Sequence, residues 1–470
     1  MIAKRPQIQL ENPAEAVQLD LNLARKYAVP GPRYTSYPTA LQFSDAIEAG
    51  KLIDDAGATD GAANPISLYI HLPFCETACW FCGCTKVITK DRSSADRYLD
   101  YLEKEIAFTA ERIQPNQPVV QLHFGGGTPT FLSPDQLRRL GVMLHRFFRF
   151  APDCEAGVEI DPRRLTREHI VALREIGCNR ASLGVQDNNP AVQEAINRIQ
   201  PPELTKKAIS WLRDEGFGSI NIDLIYGLPL QTVASFDQTL ADVLELEPDR
   251  FAIFSYAHVP WIKPAQKIFD KRGNLPDAES KLAILDRVVE TLTSREYCYI
   301  GMDHFSRLGD ELELAQANGT LQRNFQGYST KGGTNIVAFG MSAISQSPRA
   351  YRQNEKELPA YYAALDEGRL PTARGYFLTG DDQIRRETIM RLMCDLRIDF
   401  NEMSEKLGVD FREYFSAELS RMEPFVADDL LRTTGESIVV TGKGRFFIRN
   451  IAMTFDAYLK NQENRFSKTV

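Results

Sequence analysis

Between about residues 65 and 257 one pattern recurs along the chain: a short run rich in β-branched and aromatic residues, then a longer stretch whose apolar positions repeat at helical spacing. The runs are Ile66 to Leu72, Val119 to Phe124, Gly157 to Ile160, Arg180 to Val185, Ser219 to Ile225 and Arg250 to Tyr256, and each predicts a strand. Between them Ala95, Leu99, Leu102, Ile106 and Ile113 fall near one helical face. Ser133 offers an N-cap and Pro134 a first-turn proline before Leu137, Leu140 and Leu144. Thr166, Asn189-Pro190 and Ser235 open later helices in the same way. Parallel strands need right-handed crossovers, so six βα units predict an α/β fold, an open or partial (β/α)6 barrel. Its functional loops belong at the C-terminal ends of the strands.

The flanks differ. Residues 1–64 carry little periodicity, and the proline-punctuated stretch from Gly31 to Thr39 reads as an extended arm, here expected to act as a lid. Residues 65–300 form the predicted barrel, and 301–370 a further α/β segment completing the active site. Residues 371–470 are mainly helical, with a hairpin at Leu430 to Val440 and a helix through Phe446, Ile448 and Met453, a pattern of winged-helix character.

Composition narrows the function. With 470 residues and 43% of them hydrophobic, the chain can fill a large core. Its apolar runs stop well short of the ~20 residues a bilayer-spanning helix needs, and its start lacks a signal-peptide core, so a cytoplasmic protein without membrane partners is predicted. A net charge of -8 offers nucleic acid no general attraction, which argues against DNA binding by the C-terminal module. The absence of a heptad run predicts a monomer.

Of eight cysteines, four crowd into HLPFCETACWFCGC, and Cys154, Cys178, Cys298 and Cys394 stand apart. Cys75, Cys79 and Cys82 follow the first predicted strand directly, on the rim of the barrel. A zinc site would need a fourth ligand, usually from a second pair, and none follows downstream. Three thiolates on a 4Fe-4S cluster leave one iron open, able to chelate the amino and carboxylate groups of S-adenosylmethionine and deliver an electron to its C–S bond. The two other readings of the loop are a structural zinc knot and a cluster using Cys84 as fourth ligand. Cys84, two residues past Cys82, is read instead as a free thiol near the site. Phe81 is placed to pack on adenine.

Gly125, Gly126 and Gly127 end the second predicted strand, where bare backbone permits close approach of a ligand. Glu159 ends strand three, Gln186 follows strand four, Arg198 opens the next helical region, and Asp223 lies inside the apolar run INIDLIYG. A charge buried there without a partner costs several kcal/mol, so these residues either pair internally or bind ligand.

Together with GPRYTSYPTA at 31–40, GGGTPT, EIDPR at 159–163, GVQD at 184–187, NIDLIYGLP at 221–229, YAH at 256–258, GMDHF at 301–305 and NFQGYST at 324–330, the cysteine loop closely resembles the oxygen-independent coproporphyrinogen III oxidase family. The likeness spans nearly the whole chain. It implies a radical S-adenosylmethionine enzyme of haem biosynthesis, with one 4Fe-4S cluster on Cys75, Cys79 and Cys82 and two S-adenosylmethionine molecules. It implies that Tyr69, Gly126 and Glu159 contact the cluster-bound molecule. Phe81, Gly127, Thr128, Gln186, Arg198, Asp223, Ala257 and Ile344 would contact the second, with Gln326 nearby in a catalytic role. Cys84 matches a further cysteine implicated in activity without being a ligand. Thr85 departs from the family by standing where a more amide-like side chain is expected.

The implied reaction removes a hydrogen from the β-carbon of a propionate with a 5'-deoxyadenosyl radical; loss of carbon dioxide and an electron leaves a vinyl group, twice per substrate. Coproporphyrinogen III is a tetra-anion with an apolar core, so its site should join apolar walls to basic forks. Arg33 in the arm is the candidate fork, or else an arm-anchoring ion pair. The reductant is expected to be a small electron-transfer protein. Competing readings are a haem-binding chaperone of the same superfamily, an RNA methylthiotransferase and a plain electron carrier. Cys84 and the NFQGY segment speak against the first, the lack of a second cysteine cluster against the second, and the βα array against the third.

Overall fold

The structure, a computed structural model, describes residues 19–57, 64–113, 117–459, 466 and 469. The first part of the expected lid, residues 1–18, lies outside the described residues.

Among the described residues twelve strands form one sheet. In chain order they are β1 (Ile66–Leu72), β2 (Val119–Gly126), β3 (Phe150–Ile160), β4 (Arg180–Gln186), β5 (Ser219–Tyr226), β6 (Arg250–Ser255), β7 (Tyr297–Gly301), β8 (His304–Arg307), β9 (Asn335–Phe339), β10 (Ile344–Gln346), β11 (Ala350–Asn354) and β12 (Thr372–Phe377). Their order across the sheet is β12-β11-β10-β9-β1-β2-β3-β4-β5-β6-β8-β7. The six predicted strands run parallel in sequence order, the arrangement expected of a partial barrel. The later part of the chain extends both edges. The β7–β8 pair adds antiparallel to β6, while β9 returns parallel to β1 and leads an antiparallel run out to β12.

Alternation decides which side chains face the barrel interior. In β5, Ile220, Ile222, Leu224 and Tyr226 are buried and the intervening Asn221 and Asp223 are less so, putting the polar pair on the opposite face. The crossover helices follow their capping signals. Ser133 and Gln136 form a reciprocal capping box with Pro134 in the first turn of Pro134–Phe147, Thr166 caps Arg167–Ile176, and Asn189 caps Pro190–Ala195. The helix expected to begin at Ser235 begins earlier, at Val233. Thr232 caps it, and Ser235 is the third helical residue, completing that box.

Past the sheet, the helix Gly380–Asp395 leads into a three-stranded antiparallel sheet of Arg397–Asp399, Leu431–Thr433 and Ser437–Val440, with short helices between. The helix expected through Phe446 begins as a tight 3-10 turn, Lys443–Phe447, and becomes α-helical at Ile448–Met453. The arm is not purely extended: it carries helices Leu21–Tyr27 and Ala49–Gly57. It is pinned to the C-terminal module, where Tyr27 stacks on Phe425 with centroids 5.1 Å apart and its hydroxyl donates to Asp428 at 2.5 Å. The Arg449 guanidinium donates to the Pro32 carbonyl at 3.0 Å and to that of Gly31. The Gly31 to Thr39 stretch passes from there to the barrel.

Candidate active site

The cysteine loop leaves the C-terminal end of β1 and is closed at its base by a two-residue parallel ladder, Phe74–Cys75 against Val87–Ile88. Its backbone is held from several elements. The Asn197 amide donates to the Ala78 carbonyl at 2.8 Å, the Trp80 N–H to the Ile196 carbonyl at 3.1 Å, and Gln266 to the Phe81 carbonyl at 3.1 Å. Gln266 also donates to the Ala257 carbonyl at 3.2 Å, joining the Phe81 and Ala257 segments. His71 Nε2 sits 3.1 Å from the Thr85 carbonyl oxygen. That contact uses main chain alone, so the family's amide-like side chain at position 85 is not needed for it. Asn197, Gln266 and His71 went unassigned in the sequence reading. Asn197 adjoins Arg198 and His71 lies in the quoted loop, but Gln266 carries no sequence signal.

The three cysteines meet different surroundings. Cys75 Sγ is 3.4 Å from the Thr128 hydroxyl, and burial, with Cys82 and Cys79 nearby, pushes its thiol up to about 11. Cys79 is buried, with Arg163 Nη2 and Arg198 Nη1 3.5 and 3.6 Å from its sulfur. Cys82 and Cys84 lie thiol to thiol: the contact holds Cys82 down, aided by Lys86, and together with burial holds Cys84 up against the pull of Lys86. Cys84 is solvent-exposed. Among the described residues no three His, Cys, Asp or Glu side chains converge as a single-ion site requires. Three cysteines on one loop, with a hydroxyl beside Cys75 and two guanidinium groups beside Cys79, form a donor set that suits a four-iron cluster. Cys178, Cys298 and Cys394 are buried elsewhere and Cys154 is half-buried, also elsewhere.

The glycine segment lies directly beneath this loop. The Gly127 N–H donates to the Leu72 carbonyl at 2.8 Å and the Thr128 N–H to the Phe74 carbonyl at 2.9 Å. Gly126 adopts φ +115°, and a Cβ there would come within 2.8 Å of the His71 ring. Its N–H donates to Glu159 Oε2 at 3.3 Å, and Glu159 Oε1 is 3.4 Å from His123 Nε2. The parallel register places Tyr69 beside His123, and their rings stack 6.0 Å apart at 13°. The Tyr69 hydroxyl is 3.2 Å from His71 Nδ1.

Deeper in the barrel lies a cavity of about 220 Å³ whose walls include Glu159, Asp223, Phe254, His304, Gln326 and Tyr328. Asp223 accepts from Ser182 at 2.9 Å and Asn221 at 2.7 Å. Burial pushes its carboxyl up to about 7 against those bonds, with Glu159 adding to the rise. His304 is pushed down to about 3 by burial and by Arg323 and Arg33, and is neutral at physiological pH. Two buried nitrogens on this wall, His304 Nδ1 and Gln326 Nε2, have no hydrogen-bond partner among the described residues. Gln186 turns out of β4 at φ +70° near Arg198, which donates to the Gly184 carbonyl at 2.5 Å and to Asp161 at 3.0 Å. Burial pushes the Asp161 carboxyl up, but Arg198 and Arg163 outweigh it and hold it down at about 2.

Arg33 forms an ion pair with Asp303 of the GMDHF segment, and its guanidinium lies 5.7 Å from the Phe254 ring centre. The arm-anchoring pair is therefore present, at a point that also faces the barrel. Ile344 and Phe325 both pack against the apolar cluster of Phe43, Tyr351 and Leu378, which brings the NFQGY segment and β10 to the same cluster. Phe81 is half-buried beside Val192, Ile196 and Tyr256.

The model of the Radical SAM superfamily matches residues 69–243, and that of the HemN C-terminal domain matches 378–447. The oxygen-independent coproporphyrinogen III oxidase of Salmonella typhimurium is 46% identical over 462 residues, 97% of this chain and 99% of that one. The chain belongs to the oxygen-independent coproporphyrinogen III oxidase family. A Helicobacter pylori member (strain J99) is 43% identical over 455 residues, covering 96% of this chain and 99% of the other. The solved coproporphyrinogen III oxidase of Escherichia coli, described as a radical SAM enzyme, superposes with a TM-score of 0.90 at 44% identity, over 95% of this chain and all of that one. The chain is thus a radical S-adenosylmethionine enzyme, and a 4Fe-4S cluster and S-adenosylmethionine follow from the family. Among the described residues no helix is long and apolar enough to cross a membrane.

Proposed function

We propose that this chain converts two propionate side chains of coproporphyrinogen III to vinyl groups without oxygen, yielding protoporphyrinogen IX in haem biosynthesis. The observation that carries the reading is the three-cysteine loop, closed over the glycine segment at the mouth of a barrel whose cavity is lined by Glu159, Asp223 and Gln326. When bound, the cluster and S-adenosylmethionine supply a carbon radical able to remove a hydrogen atom from a propionate.

In this reading Cys75, Cys79 and Cys82 hold the cluster. Tyr69, Gly126 and Glu159 bind one S-adenosylmethionine. A second is bound by Phe81, Gly127, Thr128, Gln186, Arg198, Asp223, Ala257 and Ile344. Gly126 presents its N–H, and Glu159 an acceptor that already takes that bond and can turn to a ligand amino group. Arg33 meets a substrate carboxylate at the barrel mouth, kept in place by Asp303. At ~4 Å such a contact is worth about 1 kcal/mol in water and roughly 4 at an effective dielectric near 20, so exclusion of water by the arm strengthens it. Gln326 offers the substrate a donor that has no partner among the described residues, and Cys84 acts as a free thiol beside the site. Residues 65–300 serve as the catalytic barrel, 301–370 complete its wall, 371–470 form the C-terminal module, and 1–64 the lid. The enzyme works as a cytoplasmic monomer reduced by a small electron-transfer protein.

Anaerobic incubation of reduced, reconstituted protein with S-adenosylmethionine and coproporphyrinogen III tests this by mass spectrometry. The expected products are the divinyl porphyrinogen, methionine and 5'-deoxyadenosine, all absent with Cys79→Ala. Haem binding without vinyl product would replace the reading with a chaperone.

A further inference from the structure

Of the three cysteines, Cys79 has two guanidinium groups against its sulfur, and one carboxylate arranges both. The arrangement begins in local backbone. Asp161 follows the end of β3, and its Oδ1 accepts the Arg163 N–H at 3.0 Å, capping the 3-10 turn Pro162–Arg164. The same carboxylate then grips the Arg163 side chain, with Nε at 2.9 Å from Oδ1 and Nη2 at 2.6 Å from Oδ2. Oδ2 also accepts from Arg198 Nη1 at 3.0 Å. With its fork so fixed, Arg163 turns Nη2 to Cys79 Sγ at 3.5 Å. Cys79 is only 8% exposed, so water screens the contact little.

N–H donors to a ligand sulfur stabilise the reduced, more negative state of an iron–sulfur cluster more than the oxidised state, and so raise its reduction potential. We propose that Arg163, oriented by Asp161, is a positioning residue that sets the reduction potential of the cluster through Cys79. The inference rests on the reading that Cys75, Cys79 and Cys82 carry a 4Fe-4S cluster. The step is a one-electron reduction: an external donor is oxidised by one electron, the cluster accepts it, and no bond in the protein breaks. Arg163 makes that acceptance easier before any substrate reacts. A purely structural role, anchoring the 161–164 turn, is the competing account.

The test is a redox titration of the reconstituted holoenzyme with dithionite, followed by the electron paramagnetic resonance signal of the reduced cluster, alongside iron content and thermal unfolding. Arg163→Gln should move the midpoint to more negative values. A tenfold fall in the reduced-to-oxidised ratio at fixed solution potential corresponds to about 59 mV for one electron. Arg163→Lys, which keeps the charge but not the fork, should fall between that variant and wild type. Arg164→Gln is the control: it removes the same formal charge from the same turn, but its side chain is 67% exposed and paired with Glu76, and its midpoint should match wild type. An unchanged midpoint in Arg163→Gln, with or without loss of iron or stability, overturns the proposal. So does an equal shift in Arg164→Gln, which would mean a general charge effect. A wild-type protein with no reducible four-iron signal would instead overturn the cluster reading itself.

Discussion

Glu105 Oε2 accepts the Gly340 N–H at 2.8 Å from inside a fully buried network. The Tyr361 hydroxyl donates to the same oxygen at 2.7 Å, and Asn354 to Oε1 at 2.6 Å. Gly340 sits at the turn after β9, where Tyr98 also bridges the His71 carbonyl and the Met341 N–H. The network thus ties the turn leading to Ile344 to the strand end leading to the cysteine loop.

Burial pushes the Glu105 carboxyl up to about 7, against these three bonds. Between about pH 4.5 and 7 the folded protein keeps a proton that the unfolded chain has released, so stability falls as pH rises through that window and is level above it. The unfolding free energy of wild type relative to Glu105→Gln should therefore fall by on the order of 3 kcal/mol between pH 5 and 8. Paired denaturant titrations across that range measure it; a flat difference would disprove the buried ionisation.

Gly127→Ala should strip the site of its cluster. A Cβ at Gly127 would come 2.5 Å from the Pro73 carbonyl oxygen and 2.8 Å from that of Phe74, backbone atoms that lead straight into Cys75. Iron content after reconstitution should fall several-fold, while Gly83→Ala, whose Cβ meets nothing within 4 Å, should load like wild type.

Arg33 and Asp303 should behave as one unit toward substrate. Arg33→Gln and Asp303→Asn are each expected to raise KM for coproporphyrinogen III about tenfold, about 1.4 kcal/mol. In the double variant the penalties should fall short of their sum by roughly 0.5 to 1.4 kcal/mol, the upper figure meaning that the pair acts as one unit. Additive effects in steady-state kinetics would separate the ion pair from substrate binding.

Cys84→Ser should keep the iron and lose the product. Its thiol touches Cys82 but is exposed, so cluster absorbance should stay near wild type while vinyl formation drops at least ~100-fold, about 2.7 kcal/mol. Cys75→Ser, Cys79→Ser and Cys82→Ser should each lose the absorbance itself. Loss of absorbance in Cys84→Ser would make it a ligand.

Much of the catalytic layout was legible because β/α arrays write themselves locally. Apolar runs and the Ser133, Thr166 and Asn189 caps depend on near neighbours, and these caps appear where the pattern put them; the third strand starts at Phe150 rather than Gly157, the first crossover helix ends at Ala110, short of Ile113, and the cap read at Ser235 is Thr232. Gln266 could not be read: its role depends on being carried back to the Phe81 carbonyl, 185 positions away, by the packing after β6.

The order of hydrophobic runs, the glycine segment and the cysteine spacing determined, on their own, a parallel array with a cysteine-rich loop on its rim. Only the folded chain decided that β9 closes against β1, that Arg33 meets Asp303, and that Asp161 turns two arginines toward Cys79. The reason is physical: periodicity and capping act over a few residues and leave marks in the sequence. A pairing of distant side chains depends on which surfaces burial brings together, and composition and spacing do not encode that.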